Sequence, residues 1–175
     1  MEHAREDLGA VQHRPADDPV VGWRYWQLAE GQRLRSVSHR RFEWPPGRPL
    51  RATCAAGGHP APAERCNCGI YAALDLATLR ERGMCLVPEA LVVGEVALWG
   101  RVASDGDGHR GEYAYPKTVL LVDGTLPDGD RPAVMGDLAA YGVPVGSTSL
   151  DEAVGEVSAG VLAHQAMSLS RKPPV

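Results

Sequence analysis

Three cysteines and one histidine fall within the 15 residues from Cys54 to Cys68, spaced C-x4-H-x6-C-x-C. Thiolates and an imidazole this close together are the donors a zinc ion takes in a closed, four-coordinate structural site. The surrounding stretch, Ala52 to Tyr71, is rich in Gly, Pro and Ala and offers few side chains to bury. Such a segment must be held by something other than a core of its own, and metal-binding energy can serve as folding energy. Cys54, His59, Cys66 and Cys68 are therefore the candidate ligands, with Gly57, Gly58, Pro60 and Pro62 letting the backbone wrap tightly. Four ligands confined to one loop, with no position spared for water, point to a structural metal rather than a catalytic one.

Other readings of the same residues stay open. Cys85 in place of His59 would give all-cysteine ligation. Soft thiolates also suit an iron–sulfur cluster. A C-x-C pair could instead cycle as a strained, easily reduced disulfide. The cysteines could also simply be buried free thiols, although a Gly/Pro-rich loop is a poor place to bury them.

A second group of chemistry-bearing residues is His109-Arg110-Gly111-Glu112-Tyr113, which places a base, an acid and a phenol on one turn-to-strand segment. It reads either as a polar ligand site or as a solvated hairpin face. A third is the run Arg33, Arg35, Arg40, Arg41, Arg48 and Arg51, set against the single acid Glu43 and interleaved with Trp44. Arginines with an aromatic between them can meet phosphates and stack on bases. Opposing that reading, Asp123 to Glu156 carries seven acids against Arg131, and the chain's net charge is −4.

These residues need a scaffold. At 175 residues, with 44% hydrophobic and 23% charged side chains, the chain can build one domain with an appendage. Residues 1–19 are acidic and lack apolar periodicity, so a mobile tail, dispensable for folding, is expected there. Val21–Leu28 and Leu34–Val37, separated by a turn at Gly31, predict a β-hairpin with Trp23 and Tyr25 on one face and Arg24 and Trp26 on the other. After the break at Trp44-Pro45-Pro46-Gly47 comes the cysteine loop, and Ile70–Arg82 predicts a helix ended by Gly83. Val92–Ala103 and Glu112–Val122 predict a second hairpin, with Pro116 at an edge or bulge. An acidic loop from Asp123, a helix over Met135–Tyr141 and a final one over Leu150–Leu169, capped by Ser149 or Asp151, complete the chain.

The expected fold is α+β: a curled, mainly antiparallel sheet of two hairpins, a metal-stapled loop, one central helix and C-terminal helices. The expected division is a tail over 1–19, a zinc-stapled domain over 20–122, and an acidic and helical extension over 123–175. No signal peptide and no apolar run of membrane-spanning length is visible, so the cytoplasm is the default and the cysteines read as reduced.

The segments G-W-R-x-W (22–26), C-x-C-G-I-Y-A (66–72), G-E-V-A-L-W-G-R-V (94–102) and R-G-E-Y-A-Y-P (110–116) together resemble small uncharacterised proteins of actinobacteria and their phages. In these, an H-x-A-P motif precedes the cysteine pair, and here His59-Pro60-Ala61-Pro62 supplies it. The resemblance covers about residues 22–122 and implies a domain with those limits and His59 as a ligand. The family has no settled activity, so no catalytic role is implied.

The expected function is a zinc-stabilised binding module without catalysis, recognising a protein through an aromatic sheet surface. The residues assigned to that surface are Trp23, Trp26, Trp44, Trp99, Arg110, Glu112, Tyr113 and Tyr115, with Tyr25 beside them. The rivals are a nucleic-acid-binding protein using the arginine run, and a small thiol- or metal-dependent enzyme. No Walker A, G-x-G-x-x-G, H-E-x-x-H or G-x-S-x-G motif supports the last.

Overall fold

A fourteen-residue strand, Leu91–Ser104, is the axis of the molecule. Its middle alternates: Val96, Leu98 and Gly100 are buried, while Ala97, Trp99 and Arg101 are only half-buried. The computed structural model describes residues 9–37, 42–81, 89–156 and 159–160. In chain order these form strands β1 (Val11–Arg14), β2 (Val20–Leu28), β3 (Leu34–Ser36), β4 (Glu43–Trp44), β5 (Leu50–Arg51) and β6 (Ile70–Ala73), then helix α1 (Leu76–Arg80). There follow β7 (Leu91–Ser104), β8 (Gly108–Pro116), β9 (Val119–Val122), helix α2 (Arg131–Leu138), β10 (Val145–Thr148) and helix α3 (Leu150–Val154).

β7 is long enough to hold two partners on each edge. One edge pairs with β2 over Leu91–Leu98 and then with β1 over Gly100–Ala103. The other pairs with β9 at Val92 and Val93 and then with β8 from Val96 to Ser104. β8 also pairs with β6, and β6 returns to β2 through Trp23 and Ala73. The four strands β2, β7, β8 and β6 thus close into a small barrel. The first hairpin lies where the sequence places it, with Trp26 opposite Ser36 and Leu28 opposite Leu34.

Alternation along β2 and β7 sorts the apolar side chains into two cores. Trp26, Leu28, Val92, Val96 and Leu98 join Ile70, Ala72 and Ala114 in one, completed by Val134, Leu138 and Tyr141 from the α2 region. Tyr25, Leu91 and Val93 face the other side and are covered by Leu79 of α1 and by Ala153 and Val154 of α3. Tyr25 is tied there by its hydroxyl, which donates to the Ala153 carbonyl at 2.6 Å. Burial pushes its pKa up to about 12.

Several expectations are corrected. The sheet is a closed barrel rather than an open curl, and the strand that closes it, β6, lies in the stretch read as helix. Ile70 and Ala72 are needed inside the barrel, so pairing with β8 overrides the helix propensity of this Ala-rich run. The helix is confined to Leu76–Arg80, started by Asp75, whose carboxylate accepts from the Thr78 N–H at 2.7 Å. Its expected end at Arg82 and Gly83 lies outside the described residues. The tail is not free throughout, because Val11–Arg14 pairs with β7 and extends the edge begun by β2. That strand is held by backbone bonds, so it needs no apolar pattern; residues 1–8 lie outside the description. The run 112–122 is divided: Pro116 ends β8, which already begins at Gly108, and β9 crosses to another part of β7.

The C-terminal extension is not purely helical, since β10 adds to the sheet parallel to β9. Ser149 caps α3 in a reciprocal capping box with Glu152. Gly155, at φ 80°, interrupts the long helix that was expected, and residues 161–169 of that helix lie outside the description.

Two glycines of β7 are structural requirements. Gly100 sits at φ 77° in the irregularity between Trp99 and Val102 that separates the two pairings with β8. Gly94 lies under the bend between β8 and β9, where an added Cβ would stand 2.0 Å from the Thr118 carbonyl oxygen. Gly106, by contrast, faces open space. Gly94→Ala is therefore expected to lower stability by about 1–3 kcal/mol, and Gly106→Ala to change it by less than about 0.5 kcal/mol. Urea unfolding of both variants checks the contrast.

Candidate metal centre

Both ends of the cysteine loop are fastened to the same strand. On the entry side β5 pairs with β8, Leu50 opposite Ala114 and Arg51 opposite Tyr113, and the Ala52 N–H donates to the Glu112 carbonyl at 2.7 Å. On the exit side Ile70 lies opposite Gly111 and Tyr71 opposite Arg110. Between these anchors the chain turns twice, through Gly57 N–H to Cys54 O at 3.1 Å and Cys66 N–H to Ala63 O at 3.2 Å. Tyr71 braces the second turn by donating to the Asn67 carbonyl at 2.8 Å.

This path brings the four candidate ligands together. The ligating atoms of Cys54, His59, Cys66 and Cys68 all lie within 4.8 Å of one another. Cys54 Sγ is 3.5 Å from His59 Nε2 and 3.7 Å from Cys66 Sγ, and Cys68 Sγ is 4.0 Å from His59 Nδ1. The three cysteines are free, so the loop is not closed by a disulfide. His59 Nδ1 lies 3.1 Å from the Pro60 carbonyl. A carbonyl can only accept, so Nδ1 carries the proton and Nε2 is left to face Cys54 Sγ.

The electrostatics favour the thiolate at Cys66 and oppose the ligand form at Cys68 and His59. The Cys68 backbone N–H, followed by the Cys54 thiol, lowers the Cys66 thiol to about 7. Burial pushes the Cys68 thiol up, and the bond to the Pro60 carbonyl holds the His59 imidazole above its ordinary value. Metal binding by such a set displaces protons and strengthens as pH rises. Cys85, the alternative fourth ligand, lies outside the described residues.

The side chain that positions the loop is Arg110. It is only 2% exposed, and its Nη1 donates to the Cys66 carbonyl at 2.6 Å and to the Cys68 carbonyl at 2.9 Å, with the Ala63 carbonyl at 3.5 Å. Arg101 adds a bond from Nε to the Pro62 carbonyl at 3.2 Å. Arg110 was expected on a ligand-binding or solvated face, and the correction follows from its register. It stands opposite Tyr71 on β6, directly beneath the ligand-bearing turn.

The other expected surface residues divide. Trp26 and Trp44 are buried, edge to face at 5.5 Å, and cannot meet a partner. Trp44 belongs inside because Ser36 Oγ accepts from its indole N–H at 3.0 Å, so the ring is buried with its polar atom satisfied. Trp23 packs half-buried against the second core. Tyr115 is held by two bonds, from Gly47 N–H at 2.7 Å and to the Tyr141 carbonyl at 2.8 Å. Trp99 and Tyr113 stack at 6.0 Å and remain half-buried, with the Arg51 guanidinium 5.4 Å from the Tyr113 ring. Glu112 joins them by pairing with Arg51 at 3.1 Å.

The arginine run is not one free patch. Arg33 pairs with Glu43 at 3.8 Å and Arg51 with Glu112, Arg35 is half-buried and Arg48 exposed. Arg40 and Arg41 lie outside the described residues. His109 is hydrogen-bonded to Ser104 Oγ at 2.7 Å at the end of the β7–β8 hairpin, and burial lowers its pKa. Arg24 was not singled out, yet its guanidinium lies 5.2 Å from the Trp44 ring beside the metal loop. The signal was its alternation with Trp26, which placed a charge on a face that carries a buried indole.

Comparisons with family models, with curated proteins and with solved structures gave no match to this chain. The site's chemistry therefore stands on its own residues. Because Arg110 orients the carbonyls next to two ligands, Arg110→Met is expected to weaken metal binding roughly 10- to 100-fold. Competition against a chromophoric chelator measures the change, and an unaltered affinity would show that the brace does not shape the site.

Proposed function

We propose that the chain is a zinc-stapled binding module without catalytic activity, and that its partner is a protein. The observation that carries the zinc reading is the spacing of the donors. Around a tetrahedral zinc, sulfurs stand about 3.8 Å apart and a sulfur and an imidazole nitrogen about 3.6 Å apart. The pairs Cys54–Cys66 at 3.7 Å and Cys54–His59 at 3.5 Å match both values. Three thiolates and one imidazole complete the usual structural coordination number, so water and substrate would find no open position. An iron–sulfur cluster fits less well, because its iron ligands are mostly cysteine and span more than one metal atom.

The binding face is the group next to the loop: Trp99 stacked on Tyr113, Arg51 over that ring, and Tyr71 exposed at 41%. Tryptophan, tyrosine and arginine are the side chains that most often carry the energy of protein–protein interfaces. The zinc would set this face indirectly, by fixing the loop from which Arg51 and Tyr71 flank it. Nucleic-acid binding is the weaker reading, since two of the described arginines of the basic run already pair with carboxylates.

Elemental analysis of protein purified without added metal is expected to give one zinc per chain, and replacing Cys54 or Cys66 by Ser is expected to abolish it. Chelation is expected to lower the melting temperature by roughly 10 °C or more, the effect of a loss of a few kcal/mol. An unchanged melt after confirmed metal loss would contradict the structural role. Binding to DNA or RNA at physiological salt is expected to be no tighter than micromolar, as for non-specific contacts. Sub-micromolar binding with a steep salt dependence would replace the protein-partner reading.

A further inference from the structure

Beside the metal loop lies a half-open cavity of about 650 Å³, within the range of small-ligand sites. Its walls come from β2, the segment from Leu50 to Ala56, and the return of the loop into β6. The apolar part includes Leu50 and Ile70, and the polar part Ser36, Asn67 and Tyr71. Two arginines, Arg24 and Arg51, line it, and no aspartate or glutamate does so among the described residues.

Arg24 is the unusual member. One Nη donates to the Tyr71 carbonyl and the other to Ser36 Oγ at 3.1 Å, while the Nε–H is buried with no acceptor among the described residues. No carboxylate lies within ion-pair distance of it among the described residues. Its charge is instead set against the face of Trp44, and burial lowers its pKa to about 10. Arg24 is half-buried as a residue, but its Nε is shielded from solvent, and a guanidinium so placed is normally paired, so a cation held by neutral acceptors alone at the wall of a cavity calls for an anion from outside. Three thiolates and one imidazole around a divalent ion would leave one net negative charge, and Glu112 already pairs with Arg51 at 3.1 Å, so the unpaired cation at the wall is Arg24.

We propose that this cavity binds a small organic anion, an oxyanion group held by Arg24 and Arg51 with a planar or apolar body against Leu50 and Ile70. The oxyanion is a carboxylate or a phosphate ester, both of which match the guanidinium fork. The site goes beyond protein recognition but shares the metal loop, so its walls depend on the loop being set.

Zinc-loaded wild-type protein titrated with benzoate and with phenyl phosphate, followed by tryptophan fluorescence and by the arginine Nε–H resonances, tests the proposal. At least one of the two is expected to bind with a Kd below about 1 mM, and the tighter one identifies the oxyanion. Benzamide, the neutral counterpart, and inorganic phosphate, which lacks the apolar body, are each expected to bind at least roughly tenfold more weakly. Arg24→Gln and Arg51→Gln are each expected to weaken binding roughly 10- to 100-fold, the loss of a charge-assisted bond. If Arg24→Gln loses its zinc, Arg24→Lys and Arg51→Gln decide. Absence of binding by either aryl anion, equal binding of benzamide or inorganic phosphate, or unchanged affinity in zinc-loaded variants would overturn the proposal. Zinc content measured on the same samples separates that failure from a failure of the metal reading.

Discussion

The guanidinium of Arg110 holds the metal loop against the barrel, and the rest of the arrangement depends on that bond set. An arginine cannot shed its charge at any ordinary pH, so one that is 2% exposed must be surrounded by acceptors. The Cys66 and Cys68 carbonyls supply them, at 2.6 and 2.9 Å. The dependence runs both ways. The loop has almost no apolar side chains to bury, and without an external hold its backbone carbonyls would face water in many conformations. β8 is the bracket for both: it carries Arg110, and it pairs with β5 before the loop and β6 after it. The ligand cluster is thus preorganised by strand register as well as by any metal.

Arginine recurs around the site. Arg101 binds the Pro62 carbonyl, Arg24 binds the Tyr71 carbonyl and lies over Trp44, and Arg51 bridges Glu112 and the Tyr113 ring. Each uses the planar, multidentate head that lysine lacks. A chain with only two lysines among 18 basic residues has used arginine as a structural brace as well as a surface charge. The half-buried Trp99–Tyr113 stack, Arg51 and the adjoining cavity are the places where this bracing reaches the surface.

The candidate ligand cluster was legible in the sequence because metal chemistry is local: four donors in one Gly/Pro-rich loop can meet whatever the fold around them. The two hairpins were legible because β2 and β7 are branched and aromatic runs bounded by turns, whose alternate side chains feed two cores. What stayed hidden was held by partners rather than by pattern. β1 and β10 are short strands whose stability comes from backbone bonds to β7 and β9, and β6 is an Ala-rich segment converted to strand by β8. Trp26, Trp44 and Arg110 read as surface because their types are amphipathic. Ser36, on the strand paired with that of Trp44, takes the Trp44 indole N–H, and the loop carbonyls more than 40 residues away take the Arg110 guanidinium, so neither pairing is written in the residue's own neighbourhood.

The central claim is a closed metal centre of three sulfurs and one imidazole held by the loop alone. X-ray absorption at the zinc edge of the purified protein addresses it most directly, because it counts and types the ligands. Three sulfur neighbours at about 2.3 Å and one nitrogen at about 2.0–2.1 Å are expected, with imidazole scattering beyond. A shell of four sulfurs, or one containing an oxygen from water, would contradict it.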